Sequence, residues 1–545
     1  MVTLDFERQT KELIDSLKGI CANAGLGNDG NEFKIITQVF LYKFINDKFA
    51  YEAKKINPSI ANAKNWEEAL AKLPQADYNK IQRRLGADTA KLNPEHFITS
   101  LWHRQDEGDF AKTFDDTLRD IALLNADIFS VQTEGGSKIK LFDDVSQFVT
   151  DESDRDAFCK AIINQLIKFS FEGIFNQKFD FYAMIFEYLI KDYNNDSGGT
   201  YAEYYTPHAV AKIMASILVP ESEQGKINDV TCYDPSAGSG TLLMNLAHAI
   251  GEDSCSIYSQ DISQKSSGLL RLNLILNNLV HSIPNIIKGN TILDPYHKDG
   301  AELKKFDYIV SNPPFKMDFS DYRDDLDTKD NNDRFFAGIP NIPKKKKEGM
   351  AIYSLFIQHI IYSLSEKGKA AIVVPTGFLT AKTGVDFKIK EFLVKNKIIS
   401  AVVSMPSNIF ATTGTSVSIL FFDKGNNDNV VLVDASRLGV QYKEGKNKKT
   451  YLTPQEEKLI IDVVNGRKEV DDLSVIVEFD KFNKKKNSFS AGHYFDVKVE
   501  KIELSHQDFI STMTTKEADF LSLLKMSYEQ DEKIKAALRG LKYAI

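Results

Sequence analysis

The chain has 545 residues, 43% of them hydrophobic and 26% charged, with a formal net charge of -8. Those values describe a globular protein of more than one domain and exclude a disordered or fibrous chain. The acidic balance excludes a protein that grips nucleic acid through an overall basic footprint, so any such contact needs a local patch or a partner. In chain order, residues 1–165 are expected to form an all-helical N-terminal domain. Apolar residues recur there at three-to-four spacing, as in 33–44 and 158–169, with no strand alternation and no catalytic cluster.

The pattern changes in residues 166–480. A helical segment, 181–193, leads into the polar, glycine-bearing run Asn194-Asn195-Asp196-Ser197-Gly198-Gly199. Short apolar strands separated by helical stretches follow. They are predicted at 229–233, 256–259, 284–288, 308–311, 370–374, 399–405 and 417–423. Such alternation predicts a parallel, doubly wound α/β sheet. The last two strands flank a loop too short for a helical crossover, which predicts an antiparallel hairpin at that edge. A helical tail, 481–545, closes the chain. Leu521, Leu524, Met526, Ile534, Leu538 and Leu541 suggest an apolar stripe within it, able to pack on its own body or on a partner helix.

No apolar run approaches the ~20 residues of a membrane span. The opening Met1-Val2-Thr3-Leu4-Asp5-Phe6-Glu7 lacks the basic and apolar regions of a signal peptide. Cys21, Cys159, Cys232 and Cys255 are widely spaced, with no CxxC pair. They read as free thiols in a reducing cytoplasm, with no disulfide framework and no metal site. Lysines cluster at 344–347, at 446–449 and at 484–486. Runs of this kind are most often solvated loops.

Three motifs carry chemistry. Asp234-Pro235-Ser236-Ala237-Gly238-Ser239-Gly240-Thr241 lies between a strand and a helix. Glycines there let the backbone approach a ligand, and the helix N-terminus favours a carboxylate. Asp234 is suited to a positive amino group, and S-adenosylmethionine carries both groups. The loop lacks the Lys of a nucleoside-triphosphate loop. The second strand ends in Asp261, 27 residues on (261 − 234). It is placed either to accept from ribose hydroxyls or to cap the next helix. Asn290, after the third strand, suits either the adenine ring of a cofactor or a simple turn. Upstream, Tyr201-Ala202-Glu203-Tyr204-Tyr205-Thr206-Pro207-His208 reads as a loop before a helix, with Thr206 as N-cap and Pro207 at the first helical position.

The third motif follows strand 308–311 as Asn312-Pro313-Pro314-Phe315. Two prolines remove two backbone donors and fix φ, so neither strand nor helix continues. The product is a rigid shelf of carbonyl oxygens, a carboxamide and an aromatic ring. It suits a planar amino group, with two acceptors for the N–H bonds and a ring against the face. If that group is the N6 of adenine, the chemistry is DNA methylation.

Together these motifs resemble the N6-adenine DNA methyltransferases. The whole chain resembles more specifically the methylation subunit of a type I restriction–modification system. Support comes from Glu203-Tyr204-Tyr205-Thr206-Pro207-His208, Asp234 to Thr241, and residues 368–379 and 405–415. The resemblance implies a Rossmann-like S-adenosylmethionine-dependent methyltransferase sheet preceded by helices. It implies cofactor contacts at Glu203 to His208, at Ser239, Gly240 and Thr241, and at Asp261. Three positions depart from the family pattern: Asp261 where Glu is frequent, Asn290 where an acid is common, and His208 where Arg is common. The expected mechanism flips an adenine from the duplex. Its N6–H groups donate to the Asn312 side chain and the Pro313 carbonyl, Phe315 stacks on the base, and Phe410 approaches the other face.

The expected partners are double-stranded DNA, a specificity subunit that reads it, a second copy of the chain and a restriction/translocase subunit, with no membrane. The 135 residues after Phe410 (545 − 410) contain no evident target-recognition segment. The helical tail is therefore a candidate docking element for the specificity subunit, and the loop 316–349 a candidate DNA-side lid. Two other readings stay open. Protein glutamine N5-methylation uses a similar shelf, usually with Tyr in place of Phe315. An inactive assembly scaffold would carry a decayed site.

Overall fold

A computed structural model describes residues 2–27, 30–86, 88–175, 188, 206–410, 416–426, 428–444, 447–495 and 505–540. These residues divide into two compact units, Met1–Tyr494 and Phe495–Ile545.

The first unit is built on an 11-stranded sheet. Its strands in chain order are β1 (Val131–Thr133), β2 (Lys138–Ile139), β3 (Val230–Asp234), β4 (Cys255–Asp261), β5 (Ile286–Lys288) and β6 (Phe306–Ser311). They continue with β7 (Leu364–Pro375), β8 (Ile399–Ser404), β9 (Val417–Asp423) and β10 (Val430–Asp434). After a separate two-stranded ribbon, β11 (Val440–Glu444) with β12 (Asn447–Tyr451), comes the last sheet strand, β13 (Ser474–Val477). The order across the sheet is β13-β10-β8-β9-β7-β6-β3-β4-β5-β1-β2.

The centre is parallel, β7-β6-β3-β4-β5, so these strands end at one edge. The chain moves outward from β3 through β4 to β5, then returns to β6 on the other side of β3. The crevice between β3 and β6 is thus a topological switch point, where open α/β sheets bind ligands. Strand interiors such as Ile372, Val373 and Val374 are fully buried, as expected of strands covered on both faces.

The principal helices of this unit are α1 (Val2–Asn23), α2 (Gly30–Ile56), α3 (Phe110–Leu124), α4 (Glu152–Leu166), α5 (His208–Leu218) and α6 (Thr241–Ile250). They continue with α7 (Gln264–Leu276), α8 (Tyr353–Ser363), α9 (Gly384–Lys395) and α10 (Pro454–Asn465). Helix α10 starts on a capping box, with Thr453 and Glu456 satisfying each other's backbone N–H groups and Pro454 at the first position. Among the described residues no helix is long and apolar enough to cross a membrane. The four cysteines are buried and free.

Several expectations change. The N-terminal segment is not all-helical, because β1 pairs in parallel with β5 and β2 extends that edge. Three-residue and two-residue strands around a Gly135-Gly136 turn are too short for an alternation to show in sequence. The antiparallel β8/β9 pair is present but lies inside the sheet, since β10 adds in parallel beyond β8 and β13 closes the edge. The first compact unit also includes residues 481–494, where Phe489 N–H donates to Leu379 C=O at 3.0 Å and Phe482 packs edge-on against the Phe489 ring. The predicted helix 181–193 lies outside the described residues, apart from Tyr188. The second unit contains α11 (His506–Gly540), 35 residues long, whose Phe520, Leu521, Leu523 and Leu524 side chains are exposed.

Candidate active site

The strand β3 delivers Asp234 to the sheet edge almost completely buried, at 1% exposure. Its Oδ1 accepts from the Ser236 N–H at 2.9 Å and from the Ser236 hydroxyl at 3.4 Å. Burial pushes this carboxyl up to about 8, against the pull of the Ser236 N–H, with nearby Asp261 adding to the rise. Beyond it the backbone turns through Gly238 (φ +52°) and Gly240 (φ +84°), both left-handed. Gly240 precedes α6, and a Cβ there would lie 2.2 Å from Leu270 Cδ1 on α7. Both conformation and packing therefore demand glycine at this position. Ser239 and Thr241 share a hydroxyl hydrogen bond at 3.1 Å.

Asp261, at the end of β4, closes under the same loop. Its Oδ2 accepts from the Gly238 N–H at 3.0 Å, and its Oδ1 accepts from the Ser263 N–H at 2.8 Å. The cap of α7 is Ser263, whose hydroxyl accepts from Ser266 N–H. Asp261 thus ties strand to glycine loop and is not the helix cap. Burial raises its carboxyl and those two N–H bonds oppose the rise.

Asn290 forms a turn. Its Oδ1 accepts from the Ile292 and Leu293 N–H groups at 3.1 and 3.2 Å, and its own N–H donates to Glu134 Oε2 at 3.1 Å. Its neighbour Thr291 is buried, and the Thr291 hydroxyl donates to Pro235 C=O at 2.7 Å. That bond pins the glycine loop from the β5 side.

Across the crevice, β6 ends in Ser311 and the shelf. Ser311 is fully buried, and its hydroxyl shares a 2.7 Å hydrogen bond with Ser236. The residue before Asn312 thus touches the glycine loop directly. Pro313 is buried, Asn312 and Phe315 are half-buried, and Pro314 is exposed. The Asn312 Nδ2 donates to the Thr206 hydroxyl at 3.1 Å, which fixes the carboxamide with its oxygen as the remaining side-chain acceptor. Thr206 is therefore a partner of the shelf. The N-cap of α5 is Pro207, one residue later than expected, because Thr206 is turned to Asn312 and makes no cap bond. Glu203, Tyr204 and Tyr205 lie outside the described residues. His208 opens α5.

Phe315 packs edge-on against Tyr353, with ring centroids 6.4 Å apart, and Tyr353 stands edge-on to Phe378. The Tyr353 hydroxyl donates to Asp386 Oδ2 at 2.5 Å. Phe410 packs partly buried against the core. The segment 316–349, the candidate DNA-side lid, is packed into the fold. It buries Phe319, Leu326, Arg334 and Phe335. Arg334 donates to the Thr291 and Ile292 carbonyls at 2.7 and 2.9 Å and to His359 Nδ1 at 3.0 Å. Burial lowers its guanidinium to about 10, so it stays charged. His359, held neutral by burial and by that cation, meets the Tyr233 hydroxyl at 3.2 Å. Sequence patterns missed Ser311, Thr291, Tyr353 and Arg334, because each acts through a partner distant in the chain.

A glycine loop and an Asn-Pro-Pro-Phe shelf thus face one crevice, linked by Ser236 and Ser311. The model of the N-6 DNA methylase family matches residues 177–503, more than half of the chain. The chain belongs to the N-6 DNA methylase family. The matched region includes the crevice and excludes β1 and β2. The chain is 30% identical over 336 residues to the type I restriction enzyme MpnII methylase subunit of Mycoplasma pneumoniae, covering 60% of this chain and 59% of that protein. It is 25% identical over 398 residues to the MjaIX methylase subunit of Methanocaldococcus jannaschii, covering 70% and 66%. The match to these curated relatives thus spans roughly three fifths of their length. In fold, the chain is similar to the type I restriction-modification system methyltransferase subunit from Streptococcus thermophilus, with a TM-score of 0.71 and 19% identity. That likeness covers 91% of this chain and 100% of the other.

Proposed function

We propose that this N-6 DNA methylase transfers a methyl group from S-adenosylmethionine to the N6 of an adenine flipped out of duplex DNA, as the modification subunit of a cytoplasmic type I restriction–modification complex. The observation that carries this reading is the Asn312 carboxamide, oriented by Thr206 and joined through Ser311 and Ser236 to the glycine loop. The specificity subunit, a restriction/translocase subunit and a second copy of the chain are the partners of this reading.

The residues present fit the cofactor. A buried carboxyl raised by burial, Asp234, favours a cationic amino group, because a nearby positive charge offsets the penalty on its ionised form. The loop at Ser236, Gly238, Ser239, Gly240 and Thr241 offers backbone approach at the start of α6. Asp261 retains lone pairs for ribose hydroxyls beyond the two N–H groups it accepts. Bound S-adenosylmethionine supplies an electrophilic sulfonium methyl.

The rest of the chemistry falls to the shelf. The Asn312 oxygen and the Pro313 carbonyl accept the two N6–H groups of adenine. These bonds draw the nitrogen towards sp³ geometry and aim its lone pair into the crevice. Phe315, braced by Tyr353, and Phe410 hold the ring by its faces. No strong base is needed, since the proton leaves after the nitrogen has become cationic. The acceleration comes from positioning and from fixed dipoles.

The test is methylome sequencing of cells that carry the wild-type chain, Asn312→Ala or neither. N6-methyladenine at a defined motif is expected with wild type alone. Calorimetry on the purified variant is expected to give cofactor affinity within about threefold of wild type, since Asn312 acts on the base. Wild-type methylation in Asn312→Ala cells, or a methylated protein glutamine in place of adenine, would overturn the reading.

A further inference from the structure

We infer that the ribbon β11–β12 is an arm that grips the phosphate backbone of duplex DNA beside the target-base crevice. This rests on the proposed DNA methylation. The ribbon stands outside the main sheet. It is tied at its base to the loop after β8: Thr450 N–H donates to Asn408 C=O at 3.0 Å, and the Thr450 hydroxyl donates to Ser407 C=O at 2.6 Å. Strand β8 runs parallel to β6, through the antiparallel steps β7-β9 and β9-β8. The loop after β8 therefore lies at the same sheet edge as Asn312, and Phe410 follows Asn408 in it by two residues.

The charge of the ribbon opposes that of the chain. Residues 440–451 hold four lysines (443, 446, 448 and 449) and one glutamate (444), against a net charge of -8 overall. The register places Lys443 directly opposite Lys448. Like charges directly opposite on a ribbon destabilise it. A row of anions running past the ribbon turns that cost into attraction. Side chains two apart share a face, so Gln441, Lys443, Lys448 and Thr450 form one face. Thr450 is buried against the 405–410 loop, while Lys443 and Lys448 on the same face are exposed. The two lysines therefore project on the face of the ribbon that is turned to the 405–410 loop. A two-stranded ribbon is narrow enough to lie along a groove of B-DNA. Ammonium groups on flexible stems suit phosphates, so the ribbon adds grip and carries no sequence information.

The test uses the full-length chain and a fluorescent duplex, titrated by anisotropy between about 50 and 200 mM salt. Lys443→Ala/Lys448→Ala is expected to weaken binding several-fold and to make the log–log salt slope shallower by about 2, roughly 0.9 for each phosphate no longer neutralised. Lys448→Glu sets an acid opposite Lys443, so it is expected to raise the melting temperature while weakening duplex binding. Those opposite signs separate a weaker grip on DNA from a damaged fold. Cofactor affinity by calorimetry is expected to stay unchanged in both variants. A wild-type chain that binds duplex with a slope the variants leave unaltered overturns the arm alone. A wild-type chain that binds no duplex at low salt also overturns the arm, whereas the methylation reading fails only if cells carrying the wild-type chain show no N6-methyladenine.

Discussion

Asp234 is a carboxyl held where water does not reach, and the fold bears the cost. Burial raises its titration to about 8, far above the ordinary carboxylate range. The folded state therefore binds a proton that the unfolded chain releases near pH 4. This contribution to stability is full below the unfolded value and is lost as pH rises towards about 8. A cofactor ammonium needs the opposite state, the ionised carboxylate. Affinity for S-adenosylmethionine is thus expected to rise from pH 6 to about pH 8, where an α-amino group begins to lose its own proton. Asp234→Asn is expected to flatten that rise and to weaken binding about tenfold or more, while raising the melting temperature at pH 8. Calorimetry and thermal melting across pH check both signs. A variant that binds as wild type, with the same pH profile, would remove Asp234 from the cofactor site.

At the scale of elements, the loop after β5, the glycine loop and the segment 316–349 are fastened by single side chains. Thr291 fastens the first to the second through Pro235, and Arg334 fastens the third to the first through two carbonyls. Arg334→Met would leave those carbonyls and His359 without their buried donor. The expected cost is about 3 kcal/mol of stability, the range for a deleted charged hydrogen-bonding group. Cofactor affinity is expected to fall as well, because the glycine loop loses the brace behind Thr291. Denaturant melts and calorimetry report the two effects, and wild-type values for both would show the brace to be idle.

This is also the scale at which sequence stops being informative. Strands such as those at 370–374 and 417–422 were legible because each is a buried, largely apolar run. The shelf and the glycine loop were legible because prolines and glycines constrain the backbone wherever they occur. Strands β1, β2 and β13 were not, since two to four residues make no period, and β10 was not expected either, although Val430–Val433 is a buried apolar run. The bonds Thr206–Asn312, Ser236–Ser311 and Arg334–Thr291 were not, since nothing local marks a pair set by the sheet. Asp261 and Asn290 had two readings each: the hydrogen bonds remove the helix cap for Asp261, which secures the glycine loop, and show the turn at Asn290.

For the whole molecule, the proposed reading divides labour. The crevice performs the chemistry, and a separate specificity subunit chooses the adenine. The isolated chain is therefore expected to bind duplex weakly, with competition by a target-site duplex and by a scrambled one nearly equal. Tight binding to one sequence by the chain alone would refute that division. In the second unit, α11 exposes Phe520, Leu521, Leu523 and Leu524, and in the proposed complex this helix is the docking element for the specificity subunit.

The pairing of β1 with β5 also sets a schedule for synthesis. Gln132 pairs with Ile287, 155 residues later (287 − 132). A growing chain thus presents β1, paired only with β2, with its other edge open until β5 has left the ribosome. Pairings of such sequence separation form slowly. An exposed strand edge is also a template for pairing with another chain. Fragments ending between residues 140 and 285 carry that open edge permanently, so the natural unit for expression runs past Lys288.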